Sequence, residues 1–496
     1  MGRNPIPAGI AAMVLAAAAG AAPAPLAMPS PVEVAAREAP AYATPIRLDP
    51  AAYPGLRNAG RVVFQGFPLD RERRVDLDLE RFEVLTEDAI ILAGDAPMPR
   101  PDVVLLRGRV AGIPGSTVFL SLSPRGTNGM IEAGGDRWIL SSGPHGRGVS
   151  PLIYSPRDLP DGAIPIRPLS CATEELAHAA LPAGGPAGGA SCGGAEIAVE
   201  TNWEFTAELF GGDTVASAEY IVTLFGAVSE IYFNDVGTVL QVGFLRVWPN
   251  ADDIWDEGSV LTLLDDFQAY WIENMGHVER HLAHFLAPTV EPGAGGVAAS
   301  LGGVCDPAEG YAVSGYLDGF VWPYPLEDNN PQNWDVVVVA HEIGHNFDAP
   351  HTHSMVPPVD QCAYGGCEGA DQGTIMSYCH SCPGGIANIV LHFHQRTIDE
   401  HILPYLAGLE CDLTFFGPQI TQQPADAEAC VGADAIFSVL LGGTGPGTYQ
   451  WRKDGTDIPG AVESSYTIAG VTLDHAGVYD VVITSDCGDI TSLPAT

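Results

Sequence analysis

Positive charge is scarce in this chain. Its 496 residues carry 22 Lys plus Arg against 61 Asp plus Glu, a formal net charge of −39. A polyanion of that size repels phosphate backbones and anionic lipid surfaces, which argues against nucleic acid as a partner. No internal repeat is apparent, and past the N-terminus no segment reads as long and apolar enough to span a bilayer, so no integral membrane segment is expected once a leader is removed. What is present suits packed interiors: 46% of residues are apolar and 8% aromatic. The length exceeds one ordinary core and implies two to four domains.

The N-terminus, "MGRNPIPAGIAAMVLAAAAGAAPAPLAMPS", has one early Arg, an Ala-rich apolar stretch from Ala8, and small residues around Ala19, Gly20 and Ala21. Residues 1–27 therefore read as a secretory signal rather than an anchor, because Pro23 and Pro25 break the apolar run. Export to an extracellular location makes the ten cysteines candidates for disulfides.

Composition divides the rest. Residues 28–180 alternate apolar and polar over short runs such as "RVVFQGF", "VDLDLERFEVL" and "STVFLSLS", the pattern of antiparallel strands. Residues 181–194, "LPAGGPAGGASCGG", lack large side chains and read as a linker, with room for a processing site. Residues 195–412 mix helical and strand periodicities: 214–235 places Ile221, Leu224, Phe225 and Val228 on one helix side, 239–248 alternates like a strand, and "LLDDFQAYWIENM" returns to helix. That alternation indicates an α/β sheet domain. Residues 417–496 return to short strands and turns.

The chemistry concentrates in "WDVVVVAHEIGHNFDAPHTH". As a helix it sets His341 and His345 four apart on one face, within reach of a single ion, with Glu342 beside the first. Neutral imidazoles are good zinc ligands. His351 follows six residues later, so the chain must turn at "DAP", where Pro350 pushes Ala349 toward extended geometry. Three neutral ligands leave a fourth position open for water and substrate.

These residues resemble HExxHxxGxxH, the zinc signature of the metzincin metallopeptidases, and "AHEIGHNFDAPH" is most similar to their reprolysin (adamalysin) branch. A methionine turn matches at "GTIMSYC", with Met376. The resemblance covers about residues 195–411 and, more loosely, "RGRVAGIPGSTVFLSLSPRGTNGMIEAGGDRWIL", which resembles a reprolysin-type propeptide. It implies a twisted mixed sheet with an active-site helix, one zinc on His341, His345 and His351, Glu342 as general base and then proton donor, and Met376 as a packing residue. It also implies protein or peptide substrates, lying extended beside an edge strand expected within residues 295–303. A structural calcium has no support in the sequence. Asp348 stands where the family has a glycine; after Gly, Asn and Asp best tolerate φ > 0, so it reads as a tolerated turn residue. Tyr378, two residues past Met376, occupies a position where other metzincin branches carry a tyrosine near the metal, and is a candidate oxyanion donor or a buried structural residue. His353 and His380 read as loop residues.

The cysteines leave alternatives open. Cys362, Cys367, Cys379 and Cys382 suit a four-thiolate zinc site, with "CHSC" a candidate redox pair, or, as secretion favours, disulfides of undetermined pairing. The resemblance suggests Cys305 with Cys411. Upstream, Cys171 and Cys192 are either latency ligands that occupy the open zinc position or a disulfide with each other, the reading slightly favoured.

The C-terminal segment resembles an immunoglobulin-like sandwich in "YQWRKDGTDIPGAVESSYTIAGVTLDHAGVYDVVIT", with Trp451 as core tryptophan and Asp474, Gly477 and Tyr479 in a tyrosine-corner pattern. Val481 stands where a second core cysteine is expected, so Cys430 and Cys487 are expected to bridge one end. The module is expected to bind protein or carbohydrate. "TSLPAT" ends where a last strand is expected, implying a longer chain. Two functions follow: a secreted zinc endopeptidase, or an inactive metzincin scaffold acting in adhesion or binding. Glu342 discriminates, since a scaffold has no use for a carboxylate beside the metal.

Overall fold

The computed structural model of the protein describes residues 26–142, 150–160, 162–164, 171–173, 193–255, 258–288, 294–323, 335–409, 411, 413–415, 419–442, 448–485 and 488–496. Nearly all of the expected signal segment and most of the 181–194 linker, Cys192 included, lie outside the described residues. The described residues form two compact units, one running to residue 415 and one from 419 onward.

In the first unit the alternating N-terminal runs form β1 (Arg61–Pro68), β2 (Arg74–Phe82), β3 (Leu85–Ala93), β4 (Val104–Val110), β5 (Thr117–Ser123), β6 (Gly126–Ala133) and β7 (Asp136–Ser141). All but β3 join a ten-stranded, largely antiparallel sheet. Successive side chains point to opposite faces of a strand, and here both faces are covered. Leu106, Val118 and Leu120 face a core with Phe64 and Trp138. Leu105, Phe119, Met130 and Ile139 face the rest of the unit.

The second sheet is built from β8 (Gly193–Thr201), β9 (Val239–Val247), β10 (Leu282–Leu286), β11 (Gly296–Ala298) and β12 (Tyr311–Ser314), interleaved with α1 (Thr214–Val236), α2 (Val260–Asn274) and α3 (Asp335–Asn346). Its order is β11-β12-β10-β8-β9-β3. The pairs from β12 to β3 are parallel, and β11 closes one edge antiparallel to β12. An α/β sheet with helical crossovers is what the alternation of periodicities implied, and a mixed one what the resemblance implied. That β3, from within the expected N-terminal domain, completes it was not implied, so the expected 28–180 segment is no self-contained domain. Backbone pairing decides the partner of a strand, and side-chain alternation carries no mark of it.

Helix α1 starts at Asp213, whose carboxylate accepts from the amides of Val215 and Ala216 at 3.0 Å, and ends at Gly237 with φ +68°. Asp213 is an N-cap and Gly237 a left-handed C-terminal stop. By length and apolarity α1 is able to cross a membrane, contrary to the expectation that no such segment follows the N-terminus. It is instead a core helix, with Ala216 to Phe233 buried without interruption. Apolar character alone does not separate the two cases.

In the second unit, Thr448–Lys453, Tyr479–Ser485 and Gly488–Thr491 pair antiparallel in one sheet, and Ala435–Ser438 pairs with Ser465–Ile468 in another. Trp451 and Val481 are fully buried in the core between them. The Tyr479 hydroxyl donates to the His475 carbonyl at 2.7 Å, and its ring stacks on Phe437 at 4.6 Å. Cys430 is a free, exposed thiol, so the expected bridge from Cys430 is not made; Cys487 lies outside the described residues.

Candidate active site

Helix α3 carries Val336, Val339, Ala340 and Ile343 in the core and brings His341 and His345 to the opposite side, their rings 4.9 Å apart. The helix ends in a Schellman motif: the Ala349 amide donates to the Gly344 carbonyl and the Asp348 amide to His345, each at 2.9 Å. Asp348 occupies the left-handed position with φ +66°. Glycine is the usual residue there, and Asp is among the few that tolerate it. Pro350 then prevents a further helical turn, and the chain returns His351 to the first two rings, 5.0 Å from His341 and 4.6 Å from His345.

Two carbonyls set the protonation of the rings. His341 Nδ1 lies 2.8 Å from the Ile375 carbonyl and His345 Nδ1 2.8 Å from that of Ala349. A carbonyl only accepts, so each Nδ1 carries the proton and each Nε2 presents a lone pair. His341 Nε2 and His351 Nε2 stand 3.0 Å apart. Burial, then the neighbouring His351, push the His341 pKa well below its usual value, which keeps the ring neutral. Three buried imidazoles with convergent ring nitrogens fit a divalent cation such as zinc.

The floor beneath the rings is the methionine turn. Met376 is fully buried, and a side chain at Gly344 would meet its sulfur at 2.8 Å. Thr352, next to the third histidine, donates its amide and hydroxyl to the Met376 carbonyl at 3.0 and 3.1 Å. The surrounding loops have little regular structure and are held by three disulfides, Cys305–Cys411, Cys362–Cys379 and Cys367–Cys382. The four-thiolate site and the Cys379–Cys382 redox pair are thereby excluded.

Cys171 reaches the same point. Its thiol is free and buried, 3.4 Å from His345 Nε2 and 3.3 Å from Glu342 Oε2, and its sulfur and the three ring nitrogens lie within 4.8 Å of one another. The favoured Cys171–Cys192 disulfide is therefore corrected for Cys171, while Cys192 lies outside the described residues. The chain around Cys171 lies along β11: the Ala172 amide donates to the Gly296 carbonyl at 2.9 Å, and the Ala298 amide donates to Thr173 Oγ1 at 3.0 Å. On the other side the Cys171 amide donates to the Tyr378 hydroxyl at 2.8 Å, and that hydroxyl is 3.3 Å from His351 Nε2. Burial raises the Glu342 pKa to about 8, and burial, then the nearby Glu342, push that of the Cys171 thiol well above its ordinary value.

Sequence reasoning missed three participants. Thr173 holds the strand beside Cys171. Gly296 leaves room for the carboxyl group, since a Cβ there would stand 2.3 Å from Glu342 Oε1. His353, expected in a loop, is buried and stacks on His351 at 5.1 Å and 13°; its spacing of two from a ligand was the available signal. His380 packs near Tyr378 at 6.1 Å, on the rim.

Residues 195–390 match the Reprolysin_5 model of metallo-peptidase family M12. A 54-residue stretch is 49% identical to a decoration protein of Escherichia phage T5, over 11% of this chain; the chain spans a third of the length of that curated relative. The crystal structure of metalloproteinase-II from Bacteroides fragilis aligns over 70% of this chain and 90% of its own, at 13% identity and a TM-score of 0.37. A chimeric titin Z1Z2 tandem aligns over 16% of this chain and 48% of its own, at 24% identity and a TM-score of 0.15. The matched residues contain all three histidines of the site, a ligand set that fits zinc.

Proposed function

We propose that the chain is a secreted zinc endopeptidase made as a latent precursor, with a reprolysin-type propeptide and an immunoglobulin-like C-terminal module that binds protein or carbohydrate. One observation carries the reading: Cys171, the three histidines and Glu342 converge where a short segment of the chain's own backbone lies along an edge strand.

Zinc held by His341, His345 and His351 would polarise the scissile carbonyl and acidify the attacking water. With 171–173 withdrawn, the Gly296 carbonyl and the Ala298 amide are left to bind an extended substrate, main-chain bonds supplying affinity across varied sequences. Glu342 takes the proton of the attacking water on its carboxylate and delivers it to the leaving amine nitrogen. Its raised pKa suits the second of these steps. The Tyr378 phenol, released from the Cys171 amide, donates to the oxygen that gains negative charge. In the precursor the Cys171 sulfur would serve as a further ligand to the zinc, and residues 171–173 take the substrate's bonds, which gives latency.

The test is Glu342→Gln in the cut enzyme. Elemental analysis should find one zinc per chain in parent and variant alike, with turnover of a peptide substrate falling by roughly 10²- to 10⁴-fold. Undiminished turnover in the variant, or a parent that binds no zinc, overturns the mechanism.

A further inference from the structure

Helix α1 is buried around its whole circumference, yet the second sheet covers only part of it. The other part is covered by the N-terminal segment. Leu105 of β4 and Phe119 of β5 press on Gly226, where an added Cβ would stand 2.8 Å from Leu105 Cδ1 and 3.5 Å from Phe119 Cε2. Ser121 and Thr223 share a buried hydroxyl hydrogen bond of 2.8 Å.

Charges follow the same division. Glu219 and Glu230 are buried on α1, and the facing cations come from the N-terminal segment. Arg125 Nε stands 3.6 Å from Glu219, and the Arg107 guanidinium lies 4.8 Å over the Phe233 ring with Glu230 among its charge partners. Arg125 also holds Asp213, the residue that caps the helix. In the last turn of α1, Asp235 meets His392 at 2.9 Å, and His392 also lies 3.4 Å from Glu132 of β6, while Arg137 Nη1 donates to the Ile389 carbonyl at 3.2 Å. Strand β3 covers the edge of β9, pairing Phe244 with Ile90 through Val247 with Ala93.

We propose that residues 26–142 are a standing subunit of the catalytic unit, which stays bound without a covalent link after the chain is cut in the 181–194 linker. The inference rests on the latent-precursor reading and divides the segment's work in two. Residues 171–173 are the plug, held at the site by the Cys171 thiol and a few hydrogen bonds, and are the part that must leave. The sheet behind them is a body whose departure would strip one face of α1 and open the edge of β9, exposures that soluble folds avoid. No disulfide ties body to catalytic unit, since Cys171, the sole cysteine before the linker, is a free thiol.

The experiment inserts a site-specific protease sequence between Gly188 and Gly189 of the full chain and cuts it under native, non-reducing conditions. Size exclusion with mass detection should show both fragments eluting together at one to one, and hydrogen exchange should find the α1 amides as protected as before cutting. Separate elution of the N-terminal fragment overturns the proposal, whatever state the remainder adopts. Peptidase activity reports on the other reading alone: a Cys171→Ala chain that stays silent both uncut and cut while its fragments elute together removes the latency reading and leaves this one, and separate elution with activity does the reverse.

Discussion

Two helices of the first unit, α1 and α3, are both apolar and both buried, and they are buried for different reasons. Helix α3 sets Val336, Val339, Ala340 and Ile343 into the core and turns its histidines to a site made largely by its own sequence neighbours: the Asp348 turn, Pro350 and His351. Helix α1 has core on both sides, and its second side is supplied by strands about a hundred residues upstream, as the Ser121–Thr223 separation of 102 shows. A local constellation is readable from spacing. A face covered from far away in the chain is not.

The largest effect expected from that contrast lies at the site, where one distant residue has entered a local constellation. Cys171→Ala in the uncut precursor should raise peptide hydrolysis by roughly tenfold or more, because a tethered ligand at millimolar effective concentration competes with any substrate. Parallel elemental analysis keeps the result interpretable. A zinc-loaded variant as silent as its parent would place latency elsewhere.

The same contrast explains what the sequence disclosed. The three histidines, Glu342, the methionine turn and the left-handed residue at 348 sit within short windows, where helical period and turn chemistry act on neighbours. Cys171 was misjudged because oxidising export favours disulfides in general, and nothing near it records that its thiol meets His345, a separation of 174 residues. The pairings of Cys362 with Cys379 and Cys367 with Cys382 were open for the same reason, since four nearby thiols satisfy several connectivities. The transfer of β3 to the second sheet was hidden because its alternation is equally suited to either sheet.

A second effect, on stability rather than turnover, sharpens the comparison through neighbours on one strand. Phe119 faces α1, whereas Leu120 faces the separate core with Val118 and Leu106. Phe119→Ala should cost about 3–5 kcal/mol and Leu120→Ala about 2–5 kcal/mol. Similar totals are useful here, since only the location of the damage should differ. Hydrogen exchange should show α1 amides losing protection in the Phe119 variant and keeping it in the Leu120 variant. Equal loss of α1 protection in both would mean the N-terminal segment and α1 unfold as one cooperative block, and the division between body and helix would go.

The smallest effect concerns Asp348, the residue that departs from the glycine of the resembling family. At φ +66° an ordinary L-residue costs about 1–2 kcal/mol, and Asp less because its short polar side chain suits the left-handed region. Glycine would remove that strain but lose roughly 0.5–1 kcal/mol in chain entropy. It would also remove the partly exposed contact of Asp348 with His401 at 3.6 Å, a class of pair worth about 0–1 kcal/mol. These terms nearly cancel, so Asp348→Gly should shift stability by less than about 1 kcal/mol and leave zinc and turnover in place. Asp348→Ala keeps a Cβ and discards the polar group, so it bears the full strain and should be the less stable of the two. Thermal unfolding of the zinc-loaded proteins orders them. If the glycine variant instead loses zinc or activity while remaining folded, the carboxylate does more than turn the chain toward His351, and the site is less local than its spacing implies.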